Sequence, residues 1–152
     1  MTLDVNFTVI RLVTPADQAE WLRMRHDLWP EVEPEDLLHE MERILADPQT
    51  PAFVMERPDG RLGGFIETGT RKYADGCETS PVGYIEGWFV DEDSRGRGIG
   101  HGLVLAAENW ARSRELREMA SDTWVDHVES HAAHTALGYR EIERTIRFAK
   151  KL

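Results

Sequence analysis

The chain has 152 residues, of which 41% are hydrophobic and 30% charged, and its formal net charge is −10 at pH 7. This fits one globular domain over residues 1–152, and the longest apolar runs are too short to span a membrane. The acidic balance argues against a nucleic-acid-binding module and favours a cationic ligand. The first residues do not resemble a secretory signal and Cys77 is the single cysteine, so we expect a cytoplasmic protein without an internal disulfide.

The hydrophobic pattern predicts a strand at Phe7–Val13, then helices from Thr14-Pro15 to Pro30 and from about Pro34 to Ala46. A hairpin with the turn PDGR follows, then a polar loop (RKYADGCETSP) and a long strand, VGYIEGWFV. The remainder predicts a glycine-rich loop, a helix to about Arg114, a strand in REMASDTW, a short helix ended by Gly138 and a last strand, REIERTIRFAKK. These elements predict an α+β fold with helices packed on a mixed sheet.

The glycine-rich loop, VDEDSRGRGIGHGL, joins a strand to a helix. It lacks the Lys-Ser or Lys-Thr of a phosphate-binding P-loop, and its glycine spacing breaks the dinucleotide-binding fingerprint. Glycines let a backbone approach a ligand closely, and free N–H groups at a helix start bind anions. An R-x-x-G-x-G pattern from Arg95 to Gly100 therefore indicates an anion site, although a surface turn is the structural alternative.

From the preceding strand through the helix, this arrangement resembles the acetyl-coenzyme A loop of the GNAT superfamily of N-acetyltransferases. The resemblance implies a mostly antiparallel central sheet whose strands splay apart at the acetyl-CoA site. It also implies that the strand flanks the thioester and pantetheine, and that the loop holds the pyrophosphate. The implied coenzyme-binding residues are Trp88, Phe89, Val90, Arg95, Gly96, Arg97, Gly98, Ile99, Gly100 and, near a place where the family tends to carry asparagine, His127.

Four stretches, LRMRHDLWP, YADGCETSPVGYIEGWFV, REMASDT and ALGYREIERT, together resemble the aminoglycoside 6'-N-acetyltransferases of this superfamily. The implied reaction acetylates the 6'-amine of an aminoglycoside, and the implied acceptor-binding residues are Trp29, Tyr73, Glu86, Asp122 and Glu143. The chemistry agrees, because carboxylates pair with ammonium groups and an indole face suits a sugar and a nearby cation. The resemblance also implies a homodimer.

Each acceptor residue, taken alone, also has a structural interpretation. Trp29 lies at helical spacing from Leu22 and fits a core position, and Tyr73 fits an ordinary loop. Glu86 interrupts an apolar strand, on the face that alternation assigns to Tyr84 and Trp88. Asp122 could cap a turn, and Glu143 falls in an alternating polar run of a solvated strand. The family resemblance is what favours the functional interpretation of the set.

The implied mechanism is direct attack of the amine on the thioester in a ternary complex, without an acyl-enzyme on Cys77. Glu86 or Asp122 would accept the ammonium proton, and a backbone N–H near Val90 would stabilise the oxyanion. Where the family often places a tyrosine as proton donor to the thiolate, this chain has His134, so histidine and water both stay open as the donor. The run H-x-x-x-H-x-x-H at residues 127–134 lacks the further ligands of a tetrahedral site, so we expect no metal.

Two other functions remain open. Another amine, such as a polyamine or a protein amine, could be the acceptor within the same superfamily. A coenzyme A-sensing or nucleotide-binding module without turnover would carry the same glycine loop. An RNA-binding role for RGRG is disfavoured, because two arginines do not offset the overall acidity.

Overall fold

The protein, described here by a computed structural model over residues 9–152, forms one five-stranded sheet in the order β1–β2–β3–β4–β5. The first four strands pair antiparallel, and β5 pairs parallel to β4. The strands are β1 (Val9–Leu12), β2 (Ala52–Glu56), β3 (Leu62–Arg71), β4 (Val82–Val90) and β5 (Met119–Ser121). The helices are α1 (Gln18–Leu28), α2 (Pro34–Ala46), α3 (Ile99–Ser113) and α4 (Val128–Ala136).

The predicted mixed, mostly antiparallel sheet flanked by helices is confirmed. Of the predicted first strand, Phe7 and Thr8 lie outside the described residues. Gly138 ends α4 as expected: its φ is +90°, and the Tyr139 amide donates to the His134 carbonyl oxygen. Within residues 9–152, no helix is both long and apolar enough to cross a membrane.

Strand alternation gives the sheet two apolar faces with separate cores. One face packs Val54 and Phe65 against Trp21 and Met24 of α1 and Met41 of α2. The other face packs β-strand residues against α3, through a cluster made of Met55, Ile66, Ile85, Ile99, Leu103, Val104 and Ala107. The sheet therefore separates the α1–α2 side of the molecule from the α3 side.

A β-bulge interrupts the pairing of β3 with β4. Glu67 pairs with Gly87 and Thr68 pairs with Ile85, so Glu86 is an extra residue on β4 without a partner. The bulge reverses the alternation: Ile85 and Trp88 both pack on the α3 side, and Glu86 opens onto the α1–α2 side. The prediction that Glu86 shares a face with Trp88 is therefore wrong, because strict alternation does not survive a bulge.

The predicted last strand, REIERTIRFAKK, is also wrong for the single chain. Residues 140–152 form no strand and are exposed throughout, with Ile146 79% and Phe148 91% exposed. A strand needs a hydrogen-bonded neighbour. Within residues 9–152, β5 pairs with β4, and residues 140–152 are hydrogen-bonded as a strand to neither of them.

Candidate active site

The glycine loop forms an open cradle in front of α3. Gly96 and Gly98 have φ of +76° and +78°, and a Cβ at either position would have no atom within 4 Å. The first turn of α3 contains no acidic residue, and its first intrahelical bond runs from the Gly102 amide to the Gly98 carbonyl. The backbone amides ahead of Gly102 are therefore available at the positive end of the helix dipole, which suits a pyrophosphate.

The residues expected to contact the coenzyme divide into exposed and buried members. Arg95, Gly96, Arg97 and Gly98 are exposed, whereas the Ile99 side chain is 6% exposed and packs in the α3 core. Ile99 can therefore contact a ligand through its backbone alone. The Arg95 Nε donates to the Val90 carbonyl oxygen at 3.0 Å, which holds the start of the loop against the end of β4.

Strands β4 and β5 separate immediately beside this loop. They pair over three residues, and the last pair is Ile85 with Ser121. From Gly87 to Val90, β4 is paired with β3 on one side and with no strand on the other, within residues 9–152. The expected splay is therefore present, and its open backbone edge can pair with an extended ligand as an added strand would.

Three expected coenzyme residues lie along this open edge and are fixed by packing. Phe89 stacks on Phe65 with 6.1 Å between ring centroids, and Val90 packs on the α3 side. Trp88 lies under the start of α3, where a Cβ on Gly100 would come within 3.2 Å of its ring. The Trp88 Nε1 is buried and lacks a hydrogen-bond partner in residues 9–152. A buried N–H without a partner is costly, so this site suits a polar ligand atom.

An open cleft of about 520 Å³ lies on the α1–α2 side of the sheet, and both Trp29 and Glu86 line it. Trp29 follows α1 and fits closely over Gly87, where a Cβ would come within 2.5 Å of the indole. The Arg25 guanidinium lies 4.9 Å from the centre of the same ring. Trp29 therefore belongs both to the edge of the core and to the cleft wall, and its ring orientation is fixed from two sides.

A buried ion pair supports the floor of this cleft. The Arg25 Nε lies 2.6 Å from the Glu67 Oε1, and the two side chains are 2% and 5% exposed. The Trp21 indole N–H donates to the same carboxylate at 3.0 Å, and Arg25 also contacts Glu40 at 2.9 Å. These bonds satisfy Glu67 where burial raises its pKa, and they tie α1 and α2 to β3.

The two candidate bases, Glu86 and Asp122, are joined through Arg71 and Tyr84. Arg71 Nη2 lies 2.8 Å from Glu86 Oε2, and its guanidinium carbon lies 3.4 Å from the centre of the Tyr84 ring. The Tyr84 hydroxyl donates to Asp122 Oδ2. Burial, together with this bond, raises the pKa of the Tyr84 hydroxyl, which therefore stays protonated as a donor at neutral pH. Asp122 thus does more than cap a turn, since it accepts a bond from a strand 38 residues away.

Tyr73 and Glu143 lie together, away from the cleft floor. Tyr73 is 70% exposed and its hydroxyl donates to Asp75 at 2.7 Å, which, with the nearby charge of Glu143, raises its pKa. Residue 142 packs against the same loop, where a Cβ on Gly76 would come within 2.6 Å of Ile142. The structure therefore places Trp29 and Glu86 in one cleft and links Asp122 to Glu86 through Tyr84 and Arg71. Tyr73 and Glu143 lie together on an exposed flank.

His134 lies on the coenzyme side of the splay. Its Nδ1 lies 2.7 Å from the Ser130 carbonyl oxygen, and its Nε2 lies 2.8 Å from the Ser121 hydroxyl. Because a carbonyl oxygen only accepts, Nδ1 carries a proton. The ring is perpendicular to Trp88 at 5.1 Å and to Tyr139 at 5.8 Å. His134 is thus held beside the last β5 residue that pairs with β4.

The histidine run does not assemble as a ligand set. His127 is exposed at the N-terminus of α4, and His131 Nε2 lies 3.0 Å from the Trp124 carbonyl oxygen instead of facing His134. Across residues 9–152, no three His, Cys, Asp or Glu side chains are arranged to hold a metal ion.

The family model described as "Acetyltransferase (GNAT) family" matches residues 19–139, which span α1 to the end of α4. The chain belongs to the GNAT acetyltransferase family. The predicted family is therefore confirmed.

Two similar relatives are both named aminoglycoside N(6')-acetyltransferase type 1. The protein from Stenotrophomonas maltophilia is 42% identical over 94% of this chain and 93% of its own length. The protein from Klebsiella aerogenes is 39% identical over 95% of this chain and 97% of its own length.

Solved structures with this fold include two aminoglycoside 6'-N-acetyltransferases. AAC(6')-Iy in complex with the bisubstrate analogue CoA-S-monomethyl-acetylneamine has a TM-score of 0.88 and 34% identity, covering 95% of this chain and 99% of that one. AAC(6')-Ih from Acinetobacter baumannii has the same TM-score, identity and coverage.

Several side chains that shape the site were not identified by sequence reasoning. Glu67 interrupts an apolar strand, and that anomaly was a usable signal for its buried pairing with Arg25. Arg71 and Ser121 carried no such signal, because their partners are distant in the chain. For Tyr84, the sequence predicts only the face of the strand on which it lies.

Proposed function

We propose that this GNAT enzyme transfers the acetyl group of acetyl-CoA to the 6'-amine of aminoglycoside antibiotics, and so confers resistance to them. One observation carries this proposal. The bulge at Glu86 puts a carboxylate into the acceptor cleft at the point where the open edge of β4 begins. An ammonium held by that carboxylate lies beside the strand that flanks the thioester. The names of the relatives support the aminoglycoside as acceptor.

The donor is held by backbone more than by side chains. Loop residues 95–100 would bind the pyrophosphate, and Trp88, Phe89 and Val90 would align the pantetheine arm along the open edge of β4. A backbone N–H near Val90 would stabilise the oxyanion of the tetrahedral intermediate. His127, which is exposed at the N-terminus of α4, would contribute one more polar contact. The donor supplies the activated acetyl group, and Cys77 is not required.

The acceptor is a polycation, and its proposed partners are carboxylates with an aromatic wall. Glu86 and Asp122 would bind the amino sugar at the reacting end, where Trp29 would pack on the sugar ring. Tyr73 and Glu143 would contact a more distant ring. Glu86 or Asp122 would accept the ammonium proton, directly or through water, before the free amine attacks.

His134 is the proposed source of the proton for the leaving thiolate. With Nδ1 donating to the Ser130 carbonyl oxygen, a protonated His134 can donate from Nε2 to the Ser121 hydroxyl. The hydroxyl proton of Ser121 can then pass outward into the β4–β5 splay. This route uses the last paired residue of β5 as the link between α4 and the reacting sulfur.

A homodimer is the proposed assembly, formed through the segment 140–152. The segment alternates like a strand, exposes Ile146 and Phe148, and has no strand partner within residues 9–152. A second copy could supply that partner, because an unpaired strand presents hydrogen-bonding groups to another chain. We expect sedimentation at micromolar concentration to give a dimer, and the double substitution Ile146→Lys with Phe148→Lys to give a monomer. A wild-type monomer would refute the dimer.

Coenzyme A release is the direct test of the reaction. We expect release with kanamycin and tobramycin and little with spermidine or a peptide amine, and mass spectrometry should find the acetyl group on the 6'-amine. An analogue with a 6'-hydroxyl should bind without being acetylated. Rapid acetylation of that analogue at a ring amine would contradict the regiochemistry, and preference for spermidine or the peptide would favour another GNAT acceptor. Because acetyl-CoA is an intracellular metabolite, the proposed reaction is cytoplasmic.

The base is tested by paired neutral substitutions. Asp122→Asn and Glu86→Gln keep shape and remove charge, so KM for the aminoglycoside should rise and KM for acetyl-CoA should not. The variant that also flattens the alkaline-rising limb of the pH profile, with kcat lower by on the order of 10²-fold, identifies the base. Full activity and an unchanged profile in both variants would remove these two carboxylates from the mechanism.

A further inference from the structure

A cation already contacts the cleft carboxylate that is proposed to bind the cationic acceptor. Arg71 is the last residue of β3, and it contacts Glu86 with two nitrogens, Nη2 at 2.8 Å and Nε at 3.2 Å. Its guanidinium carbon lies over the Tyr84 ring, 3.4 Å from the ring centre, and the Tyr84 hydroxyl donates to Asp122. One guanidinium therefore neutralises one candidate base directly and stacks on the side chain that orients the other.

This arrangement is not forced by burial. Arg71 and Glu86 are 44% and 41% exposed, so water could solvate either charge in the absence of the other. By contrast, the Arg25–Glu67 pair at the floor of the cleft is almost completely buried, so each of its charges needs the other. Exposed ion pairs are individually weak, so the contact between Arg71 and Glu86 can open at small cost.

We propose that Arg71 is a built-in counter-ion that occupies the position of the acceptor ammonium and is displaced when the acceptor binds. The proposal rests on the function proposed above, because it assumes a cationic acceptor at Glu86. Arginine stays protonated at any physiological pH, so only a competing cation can take its place. Arg71 ends its strand, and the loop that follows leaves its half-exposed side chain free to turn toward solvent.

The exchange would make Arg71 a determinant of acceptor specificity. A singly charged amine that displaces Arg71 replaces one cation by another at Glu86 and gains little. A polycation keeps further ammonium groups for other exposed carboxylates of the cleft, which are Asp47 and, beside its bond to Arg25, Glu40. The competition would therefore favour acceptors with several amines and would reduce the binding of singly charged amines.

A purely supportive role for Arg71 predicts the opposite result. If Arg71 were needed to hold Glu86 in its binding position, removing it would weaken the acceptor. If Arg71 competes with the acceptor, removing it strengthens binding. The sign of the change in acceptor affinity therefore separates the two roles.

The test is calorimetric titration of kanamycin into the CoA-loaded enzyme, with steady-state kinetics in parallel. Arg71→Gln should lower the Kd and the KM for kanamycin by up to about fivefold, the range of one exposed ion pair, and leave the KM for acetyl-CoA unchanged. Arg71→Lys keeps the charge and should stay close to wild type. The gain in kanamycin affinity of Arg71→Gln should be smaller at 0.5 M salt, because salt screens exposed charges.

Arg61→Gln is the matched control. Arg61 precedes the first residue of β3, about 30 Å from Arg71 along the strand, and pairs with Glu20. The substitution removes the same charge outside the cleft and should leave the Kd for kanamycin unchanged.

An unchanged or higher Kd in Arg71→Gln, or an equal gain in Arg61→Gln, would overturn the proposal. Failure of the wild-type enzyme to acetylate kanamycin would instead refute the proposed function. Absence of kanamycin binding in every variant would overturn both.

Discussion

Gly98 allows a sharp test of the coenzyme site, because three properties meet there. Its φ is +78°, it directly precedes α3, and a Cβ on it would point into open space. The substitution Gly98→Asp therefore adds a carboxylate at the mouth of the loop without a clash. If the loop holds a pyrophosphate, the new charge opposes an anion.

The expected magnitude follows from Coulomb's law. Two unit charges about 6 Å apart repel by about 0.7 kcal/mol in water and about 3 kcal/mol at an effective dielectric constant of 20. The loop is exposed, so the lower half of this range applies to most of the interaction. Acetyl-CoA binding should weaken by about threefold to 20-fold, with the smaller values at high salt.

Gly98→Asn is the matched control for this substitution. Asparagine has nearly the same shape and, like aspartate, tolerates a left-handed backbone better than most residues. Any strain in the loop is therefore shared, and the difference between the two variants reports the charge. Titration of acetyl-CoA into both folded variants measures it. Equal affinities in Gly98→Asp and Gly98→Asn would refute the placement of the pyrophosphate on this loop.

Three further predictions concern the supporting structure. Arg25→Met leaves the buried Glu67 carboxylate without its cation, and urea unfolding should show a loss of about 3–5 kcal/mol, smaller when Glu67→Gln is added; equal losses would contradict the buried pair. The bond from Arg23 lowers the pKa of Glu20 to about 2. The stability that this bond contributes is therefore full above about pH 4.5 and is lost as the pH falls through 2. Between pH 5 and pH 2, the urea midpoint of Arg23→Gln should fall less than that of wild type, and equal falls in the two proteins would contradict this prediction. His134→Gln should lower kcat by on the order of 10²-fold with little change in either KM, and an unchanged kcat would leave water as the proton donor.

The elements on the proposed coenzyme side of the site could be predicted from local sequence. A strand, a loop with glycines at fixed offsets and an amphipathic helix occupy consecutive positions from Val82 to Ser113, and each signal acts within its own segment. Gly138 likewise ends α4 through its own backbone conformation. Local patterns sufficed there because the cradle is made of consecutive backbone groups.

The acceptor side could not be predicted in this way. The face on which Glu86 lies depends on a bulge in the pairing of β3 with β4, and hydrophobic alternation within one strand does not reveal a register shift in its pairing. The Arg25–Glu67 and Tyr84–Asp122 contacts join residues 42 and 38 positions apart. Such pairs form only once the sheet has brought distant elements together.

The C-terminal segment shows the same division. Its alternating sequence, from Arg140 to Lys151, favours an extended backbone, and the sequence by itself determines that tendency. Whether the segment becomes a strand depends on a neighbour with free hydrogen-bonding groups, and within residues 9–152 no strand pairs with it. The sequence thus determined the helices, the paired strands and the cradle of the glycine loop. The tertiary structure decided the register of β4, the ion pairs of the cleft and whether residues 140–152 form a strand. Each of these three depends on atoms contributed by another part of the chain.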